Sequence, residues 1–199
     1  VPGIQVQGVT QQQQQQQQHS SGVTLVSLEE ALMLAQVLMQ ARKPSVHLLF
    51  FKGSKHKFRR ELIEAFLEGS SDNDVLQSVS FENAGIGKNE MAAIANVMNW
   101  QRPLLIRDLN LSFCNLELEG ARVLSTALKQ NTTITSIDVS SNNLGPDGCK
   151  AILEALKGHR IILHCIMNNN FMRSEGATPI RDLLAESKTL RRLDLQNNK

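Results

Sequence analysis

Two histidines and a cysteine, His159, His164 and Cys165, fall within seven residues of one another, and by type they could be ligands of a divalent metal such as zinc. Strand alternation opposes this. Residues 164 and 165 point to opposite faces of an extended segment, so Cys165 is expected in a core and His164 in solvent. Asp108, Asp138 and Asp194 are the carboxylates most like an acid/base set, but they are expected on non-adjacent units of the pattern described below, too far apart to share a proton. Gly85-Ile86-Gly87-Lys88-Asn89 resembles the tail of a phosphate-binding loop. Its first glycine is missing and no Ser or Thr follows Lys88, so a strand-to-helix turn explains it better. No catalytic residue, metal site or cofactor is expected, and the chain reads as a non-enzyme.

Charge chemistry is concentrated in Lys52, Lys55, His56, Lys57, Arg59 and Arg60. Cations at the start of a helix oppose its dipole, so helix stability does not account for them. An anionic membrane surface would, at about 1 kcal/mol per well-placed charge, as would an acidic partner; the plain alternative is a solvated loop. Nucleic acid is not expected as a partner. The chain has 7 Phe, 1 Trp and no Tyr for base stacking, and its net charge is only +2.

These residues are positioned by a repeat. Ile134, Ile137, Val139, Asn142 and Leu144 spell L-x-x-L-x-L-x-x-N-x-L, and the pattern returns 28 residues on as Ile162, Cys165, Met167, Asn170, Met172, and again as Leu190, Leu193, Leu195, Asn198. Upstream lie Ile106, Leu109, Leu111, Cys114, Leu116, then Leu76, Val79, Phe81, Ala84, Ile86, and a degraded copy with Val46, Leu49 and Phe51. Between copies, a small residue is followed by apolar residues at helical spacing, as in Gly120, Leu124, Ala127, Leu128 and Gly148, Ile152, Ala155, Leu156. The fold class is therefore α/β, a leucine-rich repeat solenoid or horseshoe. Strands pack about 4.8 Å apart and helices about 10 Å, which puts a parallel β-sheet on the concave face and helices on the convex face.

That register writes out the concave face. Its central row is Phe50, Ser80, Asn110, Asp138, Ile166, Asp194, and the row before it is Leu48, Ser78, Asp108, Ser136, His164, Arg192. Leu163 and Ile166 are apolar where solvent is expected and sit beside His164 and Asp138; with Phe113 and Arg192 they make a candidate protein-binding patch. The inward asparagines 142, 170 and 198 are expected to bond the backbone of neighbouring turns. Cys114 and Ala84, in the same slot, can do so weakly or not at all.

Residues 1–22, with eight consecutive glutamines from Gln11 to Gln18, read as a disordered polyglutamine linker or insertion. Residues 23–199 read as the solenoid. A helix is expected from Ser27, whose strand half would be interrupted by the glutamine tract. The last repeat has its strand but no covering helix, so the solenoid is expected to be truncated at its C-terminal end with further repeats beyond it. Three cysteines without short spacing suggest core thiols rather than disulfides, hence a cytoplasmic chain.

Repeats of this length with full helices resemble the ribonuclease-inhibitor-like class. Two stretches go further. Leu109 to Leu124 (LNLSFCNLELEGARVL) and Asn168 to Leu184 (NNNFMRSEGATPIRDLL) resemble repeats of the CARMIL family of actin capping protein regulators, and the basic segment from Lys52 to Arg60 lies where that family carries a basic loop. The resemblance implies a scaffold at the plasma membrane or cytoskeleton, and a homodimer in a full-length protein that carries its capping-protein-binding segment outside these repeats. RanGAP-type GTPase-activating proteins and the sensor domains of innate-immune NLR-type receptors share the repeat length and are the alternatives.

Overall fold

The computed structural model describes residues 22–25, 48–51, 77–98 and 105–199. Seven strands, β1 (Gly22–Leu25), β2 (Leu48–Phe51), β3 (Ser78–Ser80), β4 (Asp108–Asn110), β5 (Ser136–Asp138), β6 (His164–Ile166) and β7 (Arg192–Asp194), form one parallel sheet in chain order. Four helices follow strands among the described residues: α1 (Lys88–Met98), α2 (Glu117–Gln130), α3 (Gly145–Lys157) and α4 (Ala177–Glu186), the last preceded by a 3₁₀ turn at Ser174–Gly176. This is the leucine-rich repeat solenoid read from the sequence.

Strands β3 to β6 are three residues long because only the central residue of each needs to face inward. Val79, Leu109, Ile137 and Cys165 are those central residues and all are buried. The next apolar row, Phe81, Leu111, Val139 and Met167, continues the interior, and Leu124, Leu128, Ile152, Leu156 and Leu183 close it from the helices. Each large side chain removed from water in this way contributes about 1.5–3 kcal/mol. In register, Phe50 pairs with Ser80, Ser80 with Asn110, Asn110 with Asp138, Asp138 with Ile166, and Ile166 with Asp194.

Helix starts are written locally. Pro146 and Asp147 occupy the first turn of α3, where a missing N–H costs nothing and a carboxylate suits the helix dipole. At α1 the Glu90 carboxylate reaches back to the Gly87 N–H at 3.1 Å, which confirms Gly85 to Asn89 as a strand-to-helix turn. Neighbouring helices approach closely through Gly148: a Cβ there would lie 3.1 Å from Leu144 Cβ and 3.3 Å from Ala121 Cβ.

Past each strand the chain turns toward the helix, and there its backbone has lost its sheet partner. Asparagine supplies the missing bonds. Asn142 Oδ1 accepts from the Cys114 and Leu116 N–H groups at 3.0 and 3.1 Å, while its Nδ2 donates to the Leu111, Val139 and Ser140 carbonyls. Asn170 Oδ1 accepts from Asn142 N–H, and Asn198 Oδ1 from Asn170 N–H, both at 2.9 Å, so the ladder is continuous over three turns. In the same slot the Cys114 thiol donates to the Phe81 carbonyl, with sulfur to oxygen 2.9 Å. It thus makes one of the bonds an asparagine would make.

Two expectations change. The strand half expected to be interrupted by the glutamines includes β1, which begins four residues after the last glutamine and pairs along its length with β2. Asp108 and Asp138 do not lie on non-adjacent repeats but on neighbouring strands β4 and β5, two residues out of register. The helix expected from Ser27, the glutamine tract and the basic segment lie outside the described residues.

Candidate functional site

Strand β6 sets the middle of the candidate patch. It places His164 outward and exposed, Cys165 inward and fully buried, and Ile166 outward and half-buried. His164 and Cys165 therefore diverge, and among the described residues no group of three or more His, Cys, Asp and Glu side chains could hold a metal ion. Leu163, at the entry to β6, is half-buried, and its backbone N–H bonds the Thr135 carbonyl at 2.8 Å.

Across the sheet, Ile166 has Asp138 on one side and Asp194 on the other, and His164 has Ser136 and Arg192. Asp138 uses one oxygen to cap its own strand, accepting from Ser140 N–H at 2.8 Å; Asn110 does the same for Ser112 one turn earlier. Arg192 is held rather than free. It bonds both oxygens of Asp194, with Nη2 to Oδ2 at 2.6 Å, and this pairing keeps the Asp194 carboxyl below the usual carboxylate range. Asp108 lies in the same row as His164, with Ser136 between them. Partial burial raises its carboxyl, and the charges of His164 and Arg107 oppose the rise.

The patch is therefore an apolar pair, Leu163 and Ile166, framed by Asp138 on one strand and by the Arg192–Asp194 pair on another. His164 stands exposed within it. The neighbouring row is tighter than strand alternation alone implies. Ser112 and Ser140 are buried, because the chain begins its turn at these residues.

Beyond them lies a rim built in left-handed backbone. Residues on either side of the inward slot have φ near +55°: Asn83, Phe113, Ser141, Asn169 and Asn197 before it, and Asn115, Asn143 and Phe171 after it. Asparagine and glycine enter this region readily, bulky residues do not. Exposed side chains join successive turns along the rim, Asn143 to Asn115 at 3.0 Å and Asn169 to Ser141 at 3.3 Å. Phe113 and Phe171 interrupt that polar row with rings 56% and 53% exposed. Phe113 was expected on solvent from its register. Phe171 was not singled out for binding, and the signal was its place directly after Asn170, where neighbouring turns carry Asn115 and Asn143.

The leucine-rich repeat family model matches residues 105–125 and 130–153. Together with the ordered parallel sheet and the asparagine ladder this defines the chain as a leucine-rich repeat protein. Among solved structures it is similar to actin-binding site 2 of leiomodin-1, with 18% identity over 88% of this chain and 83% of that one and a TM-score of 0.49. It is similar also to the tropomodulin C-terminal domain of Caenorhabditis elegans, with 14% identity over 85% and 84% of the two chains and a TM-score of 0.45. No curated protein matches the sequence.

Proposed function

We propose that this chain is a non-catalytic scaffold that docks a protein partner on its concave face, centred on Ile166. The observation behind this reading is the composition of β6 and its neighbours: an apolar pair half-open to solvent, bounded by carboxylates, an exposed histidine and a preformed arginine–carboxylate pair. An apolar anchor with a polar surround is the arrangement that concentrates binding energy in few residues. Phe113, on the rim, extends the apolar contact beyond the sheet.

The resemblance of residues 109–124 and 168–184 to the CARMIL family supports a narrower form of the reading. In it the chain belongs to a regulator of actin filament assembly and capping protein at the plasma membrane, and Lys52, Lys55, Lys57, Arg59 and Arg60 meet anionic lipid.

The test is affinity capture with the full chain and its Ile166→Asp variant, alongside binding assays with purified actin and capping protein. A partner retained by the native chain, lost by the variant at unchanged melting temperature, is the expected result. Equal retention by both overturns the concave-face reading. For the membrane, sedimentation with phosphatidylserine vesicles should fall when Lys55, Lys57, Arg59 and Arg60 are all replaced by Glu; unchanged sedimentation removes that part.

A further inference from the structure

The segment leading into β6 is held by a side chain that can take up a proton. His159 follows α3 and occupies the place that Asn131 holds 28 residues earlier and Ser187 holds 28 residues later. Asn131 Oδ1 accepts from the Thr133 and Ile134 N–H groups at 3.0 and 2.8 Å, and Ser187 Oγ accepts from Leu190 N–H at 3.2 Å. His159 does the same work through Nδ1, which accepts from Ile161 and Ile162 N–H at 3.4 and 3.2 Å. Of the three, only the imidazole loses its acceptor within the ordinary pH range.

The geometry fixes the ring's state. With Nδ1 accepting two backbone donors, the proton of the neutral ring must sit on Nε2. That atom is buried and has no hydrogen-bond partner among the described residues. A second proton would place an N–H on Nδ1 facing two N–H donors, leaving all three unsatisfied.

Among the described residues, no neighbouring charge favours the cation. The elements around the ring carry Lys129 on α2, Lys157 on α3, and Arg160 and Lys188 in the connecting segments. Of the carboxylates on α3 and α4, Asp147 lies in the first turn of α3, at the opposite end from His159, Glu154 pairs with Lys150, and Asp182 and Glu186 pair with Lys157. Burial pushes the His159 pKa below its usual value of 6.5, against the Asn131 and Leu128 backbone carbonyls, which raise it.

We propose that His159 is a proton-operated latch: neutral, it fastens residues 160–162 and so the entry to β6, and protonated, it releases them. Because Leu163, His164 and Ile166 follow directly, acid would loosen the candidate docking patch. That last consequence rests on the proposed function; the latch does not.

The sign follows from the lowered pKa. The contribution is fully present above the unfolded-state value near 6.5 and is lost as pH falls through the folded-state value. The test is amide hydrogen exchange by NMR on the full chain, compared as protection factors at pH 7.5 and pH 5. Protection at Ile161 and Ile162 should fall on going to pH 5, because the two N–H groups lose their acceptor. In His159→Asn, which keeps an acceptor as at Asn131, it should not fall, and in His164→Asn it should fall as in the native chain. Unchanged protection in the native chain, or an equal loss in His159→Asn, overturns the latch. Should His159→Asn fail to fold, the native His159 Hε1 titration decides: a pKa below 6.5 upholds the latch, and one at or above 6.5 rejects it.

Discussion

Asn142 carries five side-chain hydrogen bonds in a fully buried site, joining the turns on either side of it. Removing it leaves two N–H donors and part of three carbonyls without partners and without access to water. Asn142→Ala should therefore cost about 3 kcal/mol, read by urea unfolding; a loss under about 1 kcal/mol would mean that water replaces the side chain. Phe113 and Phe171 are predicted to behave in the opposite way. Their rings are exposed and their backbones left-handed, so neither burial nor local conformation accounts for a phenylalanine there. Phe113→Asn and Phe171→Asn should each stabilise the chain by about 1 kcal/mol, the cost of left-handed backbone for a bulky residue. If the docking reading holds, Phe113→Asn weakens partner capture while it stabilises, a trade that marks a residue kept for contact.

At the scale of the element, Gly148 lets α2 and α3 approach closely. Gly148→Val would drive side-chain carbon against Leu144, which precedes α3, and Ala121 of α2. A loss of about 2 kcal/mol is expected in thermal or urea unfolding, and an unchanged midpoint would show that the helices can part. Most of this layer was legible in the sequence. Strand centres, concave rows and the inward asparagines followed from a fixed period combined with alternation, and Cys165 and His164 fell on opposite faces as alternation requires. What was not legible has a physical reason in each case. β1 has four residues after a low-complexity tract and no preceding copy to set its register. The left-handed rim is invisible because the repeat pattern records which residues point inward, not the backbone angles on either side of them. His159 differs from Asn131 and Ser187 in type, and only the shared acceptor role makes the three equivalent. The adjacency of Asp108 and Asp138 was available from the 28-residue step and was misread.

In the whole molecule, each turn is supported by the turns next to it, so a local defect spreads by loss of neighbour contact. Three thiols mark this stack at different heights: Cys114 in the turn after β4, Cys149 on α3 and Cys165 on β6. All are buried, and burial pushes their pKa values up, to about 11 for Cys114 and about 12 for Cys149, and upward for Cys165 as well. A thiol that is both enclosed and protonated does not react with a disulfide reagent until its surroundings open. The folded chain should accordingly label no faster than it opens, and Asn142→Ala should speed all three thiols together if the turns open as one unit, or Cys114 and Cys149 ahead of Cys165 if they do not. A cysteine labelled at the rate of an unfolded peptide would contradict its burial. The substitutions that put sulfur into a leucine and asparagine framework thus give the solenoid native reporters, from which the order and size of its opening motions can be timed without attaching a probe.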